Sequence, residues 1–143
     1  AQKKTKLNQL SLKEVDLART QDSLVKPTLF FIYTNWCGYC HKMERQAFKN
    51  QEIIDLINEN FYFTKLNAET RKKLKFAEKT FNYLPTGRNT GLNELAIVLA
   101  KKDGKIAYPS IVILNNEDVI DLQIVGFLTP EQLKNTLTKY LKF

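Results

Sequence analysis

Two cysteines are all that the chain has, at positions 37 and 40, with two residues between them. A pair so close excludes a structural disulfide framework, because a bridge across so short a loop restricts the unfolded chain little. The two thiols are therefore there for reactivity, metal binding or cofactor attachment. Histidine is scarcer still: His41 is the only one. Two Cys and one adjacent His leave a tetrahedral zinc site a ligand short. Long apolar runs are missing as well. The longest, over residues 29–33, is strand-sized and far from the roughly 18 residues that cross a bilayer. No internal repeat or low-complexity segment is present. Acidic residues are the minority, 15 against 22 Lys and Arg, for a net charge of +7. The basic residues are scattered rather than interleaved with aromatics on one face, so a nucleic-acid footprint is not expected. The densest cluster, at 71–75, reads as a solvated surface. An acidic protein partner stays open.

What is there suits one α/β domain of 143 residues, 43% hydrophobic and 26% charged. Residues 1–10 are polar and Lys-rich and read as a flexible N-terminal segment. Ser11 followed by Glu14 is a capping-box signature, predicting a helix over 12–22. Residues 28–34 (TLFFIYT) form a continuous apolar run, as in a central strand covered on both faces. Met43, Ala47 and Phe48 mark a helical face after the cysteines. Asn50 interrupts it, and 52–58 resumes. Residues 61–67 read as a second strand, 68–80 as a charged helix, 83–91 as a loop, and 92–102 as helical. Strands are expected at 110–114 and 119–125, joined by a turn. Thr129-Pro130-Glu131-Gln132 is a strong helix start. Strands separated by helices imply parallel pairing, and the short final link implies an antiparallel hairpin.

A Cys-x-x-Cys between a buried strand and a helix is a redox design. Cys37 falls at the helix N-terminus, where unpaired N–H groups and the helix dipole favour a thiolate. Cys40 lies one turn on, on the same side, within reach of the first sulfur. Gly38 is expected to let the backbone turn tightly, and Trp36 to flank the nucleophile as an apolar shelf. A different chemistry has the same spelling: Cys37-Gly38-Tyr39-Cys40-His41 matches the c-type haem attachment pattern, with His41 as proximal ligand. The single methionine, Met43, sits on the same helix and cannot reach the opposite haem face, so no cofactor is expected. The chain begins with Ala1 and not Met; a removed signal peptide fits, and so does trimming.

Taken in order, Trp36-Cys37-Gly38-Tyr39-Cys40, Lys65-Leu66-Asn67, Tyr108-Pro109-Ser110-Ile111 and Val125-Gly126-Phe127-Leu128 resemble the thioredoxin family from about residue 27 to the end. Residues 40–48 (CHKMERQAF) are similar to the soluble domains of bacterial thiol:disulfide interchange proteins. The resemblance implies a mixed four- or five-stranded sheet flanked by helices. It implies a cis-proline at Pro109, with catalytic Cys37 and Cys40. Substrate would be bound by Trp36, Gly38, Tyr39, Tyr108 and Pro109. Protein thiols or disulfides would be the substrates, a redox protein the partner, and the bacterial periplasm the expected compartment, with neither nucleic acid nor a membrane span. The expected activity is thiol–disulfide exchange, leaning to reduction. The alternative is a non-catalytic binding or chaperone-like module on the same fold.

Two departures stand out. Phe31 occupies the place of the family's buried acid, which leaves Glu44 and His41 as candidates for proton handling and Lys65 without its usual partner. The chain is also longer than thioredoxin before Pro109, by a helical or loop insertion over about 69–91. Its basic stretch, with Phe81, Tyr83 and Leu84, is expected either to cover part of the groove beside Cys37 or to be a surface excursion whose Phe81 and Leu84 pack on the core.

Overall fold

The computed structural model describes residues 4–142. The apolar run becomes β1, Thr28–Tyr33. Alternate residues of a strand point to opposite faces, so β1 feeds two cores at once. Leu29 and Phe31 lie in one, with Met43, Phe48, Ile53 and Leu133. Phe30 and Ile32 lie in the other, with Val15, Phe76, Leu95 and Val112. This is why the run is apolar throughout. β1 pairs in parallel with β2, Tyr62–Asn67, and antiparallel with a later strand, Ser110–Leu114. That strand pairs in turn with the edge strand Ile120–Val125, completing a four-stranded mixed sheet.

The helices start where side chains can accept the free N–H groups of their first turns. α1, Leu12–Gln21, opens on a capping box between Ser11 and Glu14. α2, Gly38–Gln46, runs through a 3-10 turn at Ala47–Lys49 into α3, Gln51–Asn60, which Asn50 caps. The last helix, Pro130–Leu141, has the second capping box, between Thr129 and Gln132.

The insertion differs from its sequence reading. Residues 68–80 form no helix; they hold a hairpin of β3, Leu74–Phe76, and β4, Lys79–Phe81. The charged residues hid a period of two, in which Phe76 goes inward and Lys75 outward. The two turn residues, Ala77 and Glu78, have φ of 53° and 64°. Neither is the Asn or Gly that advertises such a turn. An external contact holds it instead: the Ala77 N–H donates to Asp16 Oδ1 of α1 at 3.1 Å. Residues 83–91 are not an irregular loop either but a second hairpin, of β5, Tyr83–Gly87, and β6, Thr90–Asn93. The Tyr83 ring lies so close over Gly91 that a Cβ there would stand 2.3 Å from it. α4, Glu94–Ala100, starts two residues after the predicted helix begins, because Asn93 caps it. With α4 counted, the sheet strands above become β7 (Ser110–Leu114) and β8 (Ile120–Val125), and the last helix α5.

The segment 4–10, expected to be loose, is tied down, while residues 1–3 lie outside the described residues. Asn58 accepts from the Asn8 N–H and donates to the Lys6 carbonyl, both at 2.8 Å. The Leu10 N–H donates to the Phe63 carbonyl at 2.8 Å.

The left-handed turn yields a stability prediction. Glu78→Gly removes the Cβ clash of that conformation. It should stabilise the fold by about 0.5–1 kcal/mol in urea melts. A loss of stability would mean that the Glu78 side chain has a role its exposure does not show.

Candidate active site

The chain leaves β1 at its C-terminal end, turns through Asn35 and Trp36, and enters α2 at Cys37. Cys37 is the N-cap residue: its backbone is extended, and its sulfur accepts the Cys40 N–H at 3.1 Å. Its own N–H donates to the Thr34 carbonyl at 3.3 Å. No acidic residue lies in the first turn of α2, so nothing there opposes the positive end of the helix. The two cysteines are joined as a disulfide, with Cα atoms 5.3 Å apart. They differ in access: Cys37 is 6% exposed and Cys40 fully buried.

The exposed aromatic side chains Trp36 and Tyr39 stand beside and between the two cysteines in the chain. Trp36 is 70% exposed and meets the Tyr108 ring edge-on at 6.0 Å. Tyr39 is 62% exposed and stands 5.7 Å from the Phe127 ring, over which Lys42 also sits. The Tyr108–Pro109 peptide is cis. The Pro109 carbonyl accepts the Gly126 N–H at 2.8 Å, tying this segment to the chain that carries Phe127.

Other residues singled out from the sequence fall differently. Gly38 is helical, and a Cβ there would meet nothing within 4 Å. The tight turn expected of it is absent, and the glycine leaves the space beside Cys37 open. His41 is exposed, with Nε2 2.9 Å from the Asn35 carbonyl on the approach to the helix. Phe31 fills the place of the missing acid, fully buried and edge-on to Phe48 at 4.9 Å. Lys65, expected to be solvated without a partner, pairs with Glu44 at 3.4 Å, both side chains being largely shielded. Within the insertion, Phe81 packs on the α1–α4 core, while Leu84 is exposed.

Sequence reasoning missed Glu69. Its Oε1 accepts the indole N–H of Trp36 at 2.9 Å, so the root of the insertion grips the rim of the site. The signal was the indole itself, a donor that needs an acceptor. Phe127 was read as part of a matching strand and not as a wall of the site. Among the described residues, no group of three or more His, Cys, Asp or Glu side chains is placed to hold a metal ion.

Burial, with the Glu69 charge adding to it, pushes the Tyr108 phenol up to about 12 from 10.0. Between these values the folded chain binds a proton that the unfolded chain has released, so stability must fall as pH rises through that window. Below pH 10 the contribution is fully present. Urea melts across the window should show a fall that Tyr108→Phe lessens, the remainder coming from Tyr33, Tyr62 and Tyr140, whose phenols burial also raises. An unchanged slope in that variant would assign the fall to other groups.

A family model described as a thioredoxin-like domain matches residues 16–141. Rat spermatogenesis-associated protein 20 is 36% identical over 56 residues, which are 39% of this chain and 7% of that protein. The human protein is 33% identical over 66 residues, 46% of this chain and 8% of that one. The chain thus spans a small fraction of the length of these curated relatives. Among solved structures, a thioredoxin from Thermus thermophilus superposes with a TM-score of 0.63 at 14% identity, covering 93% of this chain and 85% of that one. The C-terminal domain of DsbD from Neisseria meningitidis, in its reduced form, gives 0.57 at 15%, covering 87% and 89%. A disulphide isomerase from Xylella fastidiosa gives 0.59 at 18%, covering 90% and 86%. At these identities the likeness is one of fold.

Proposed function

Because this chain belongs to the thioredoxin-like family, we propose that it is a thiol–disulfide oxidoreductase that reduces disulfides of other proteins through Cys37 and Cys40. One observation carries the reading: a disulfide at a helix N-terminus whose first cysteine keeps a slight exposure while the second has none. In the reduced chain the Cys37 thiolate attacks a substrate disulfide. A mixed disulfide forms and one substrate sulfur leaves as a thiolate, which takes up a proton. The Cys40 thiol then gives up its proton and attacks the Cys37 sulfur. The second substrate sulfur is released, and the chain is left with its own disulfide. Two electrons have passed to the substrate, and a redox partner must return them.

The buried Cys40 needs a base when it attacks. With Phe31 in the acid's place, Glu44 is the candidate, held near α2's inner face by Lys65. His41, directed to a backbone carbonyl, is the weaker one. Trp36, Gly38, Tyr39, Tyr108 and Pro109 line the approach to Cys37 and would receive an extended substrate segment. Reduction outside the cytoplasm, in a bacterial periplasm, is the setting proposed from the sequence. Among the described residues no helix is long and apolar enough to cross a membrane.

The test combines turnover of a protein disulfide with the reduction potential of the Cys37–Cys40 pair. A reductase should turn over and lie near about −270 mV; a potential near about −120 mV would make the chain an oxidant. No exchange at all would leave the non-catalytic binding module.

A further inference from the structure

We propose that the outer edge of β2, with the lysines that overhang it, is a docking groove for an extended acidic segment of a partner protein. This site is separate from the disulfide and does not depend on the redox reading. β2 is one edge of the central sheet. Its even-numbered residues face β1: the Tyr62 N–H reaches the Pro27 carbonyl, and the Ala68 N–H reaches that of Tyr33. Its odd-numbered residues face outward. Phe63 is covered, since its carbonyl accepts the Leu10 N–H beside the Gln9–Phe63 bridge. At Ser11 the covering segment turns away into α1. Further along, the Asn67 carbonyl accepts from the Thr70 N–H. Between them, the outward N–H and C=O of Lys65 have no hydrogen-bond partner among the described residues. A groove of about 710 Å³ runs along this stretch, walled by the start of α1 and by the first part of the insertion.

The groove's charge is of one sign. Lys13, Lys65, Lys72, Lys73 and Lys75 line it, with no carboxylate among the lining side chains. Lys65 is paired with Glu44, and the other four form no ion pair among the described residues. Glu14 and Glu69, the acids adjoining the lining residues in sequence, are committed elsewhere, to the Ser11 N–H and to the Trp36 indole N–H, both at 2.9 Å. Leu10, Leu12, Leu66 and Leu74 supply an apolar floor.

An open strand edge is matched by an extended polypeptide, which offers backbone donors and acceptors and alternates its side chains. The lysines require that one face of it be acidic. A second copy of this lysine-rich edge is repelled by the same charges. Nucleic acid lacks the backbone complement, and no aromatic ring lines the groove for bases to stack on. Lysine on an edge strand also serves to prevent unwanted pairing. Lys65 alone would do that; Lys72, Lys73 and Lys75 come from another segment and overhang the edge.

The probe is a fluorescein-labelled peptide of alternating Glu and Val, bound to the full oxidised chain and followed by anisotropy. Binding should weaken about tenfold in the Lys72→Glu, Lys73→Glu, Lys75→Glu variant, as expected for three modest charge contacts. It should also weaken as ionic strength rises from about 0.1 to 1 M. Lys101→Glu, Lys105→Glu, Lys139→Glu, with the same change in net charge, should bind as the parent does. A Glu-Pro peptide of equal charge, which lacks half the N–H groups, should bind several-fold more weakly. The Lys65 amide should gain protection from hydrogen exchange only with the Glu-Val peptide. Far-UV circular dichroism and the rate of disulfide exchange with glutathione establish that each variant is folded. Equal weakening by both triple variants, equal binding of the Glu-Pro peptide, or equally tight binding of an oligothymidylate of matched charge would each overturn the proposal.

Discussion

Reduced Cys40→Ser protein, mixed with a disulfide-bonded protein substrate, is expected to accumulate a covalent complex through Cys37, and Cys37→Ser protein to accumulate none. Both variants should lose turnover by at least about a hundredfold, since neither half of the exchange can substitute for the other. The asymmetry follows from position. Cys37 is the N-cap and, at 6% exposed, the more accessible of the two, with free helix N–H groups and no acidic residue in the first turn. Its thiol should titrate below the ordinary value of about 8.5. Cys40 is one turn down and fully buried, where desolvation opposes a thiolate. Thiolate absorbance of the two single-cysteine variants measures this directly. A lower pKa at Cys40, or a complex trapped by Cys37→Ser, would reverse the assignment of nucleophile and resolving thiol.

Asn93→Ala should be among the most destabilising polar substitutions, costing about 2–4 kcal/mol in urea melts. Asn93 is fully buried. Its Oδ1 caps α4 through the Leu95 N–H at 3.1 Å. Its Nδ2 donates to the carbonyls of Thr70 and Lys72, at 3.3 and 3.0 Å. Alanine removes the cap and leaves both carbonyls short of a donor. Asn93→Asp keeps the acceptor but loses the donors and places a carboxylate against two carbonyl oxygens, so it should recover little. Serine keeps a cap without that repulsion and should recover roughly 1 kcal/mol. If Asp matched the parent, the contacts to 70 and 72 would contribute nothing.

The placing of the cysteine pair at a helix start was legible in the sequence because its parts are close together in the chain. A buried strand, Trp36, the two cysteines and a helical face occupy one stretch, and each part has a local signature. The capping boxes at Ser11 and Thr129 were legible for the same reason. The insertion was not. Its turn uses Ala77 and Glu78, which are not turn residues, and depends on Asp16, 61 positions earlier. Its other anchors, Asn93 to Thr70 and Glu69 to Trp36, are also contacts between distant positions. Charge density over 68–80 imitated a helix surface while three apolar side chains, Leu74, Phe76 and Phe81, served a hairpin. The Lys65–Glu44 pair escaped for a related reason. The acid that Lys65 lacks on β1 is supplied from α2, where a reading confined to strand positions does not look.

Trp36 is the only tryptophan in the chain. Its ring is open to solvent, stands next to the sulfur that would exchange, and is bonded to the first residues of the insertion. One chromophore therefore sits where three events meet: closing or opening of the disulfide, arrival of a substrate segment, and any shift of the loop after β2. Each changes the polarity or the quenching around a single indole. The emission of the unlabelled protein becomes a direct readout of the exchange cycle proposed for it, and a Glu69→Gln variant calibrates the share that comes from the loop.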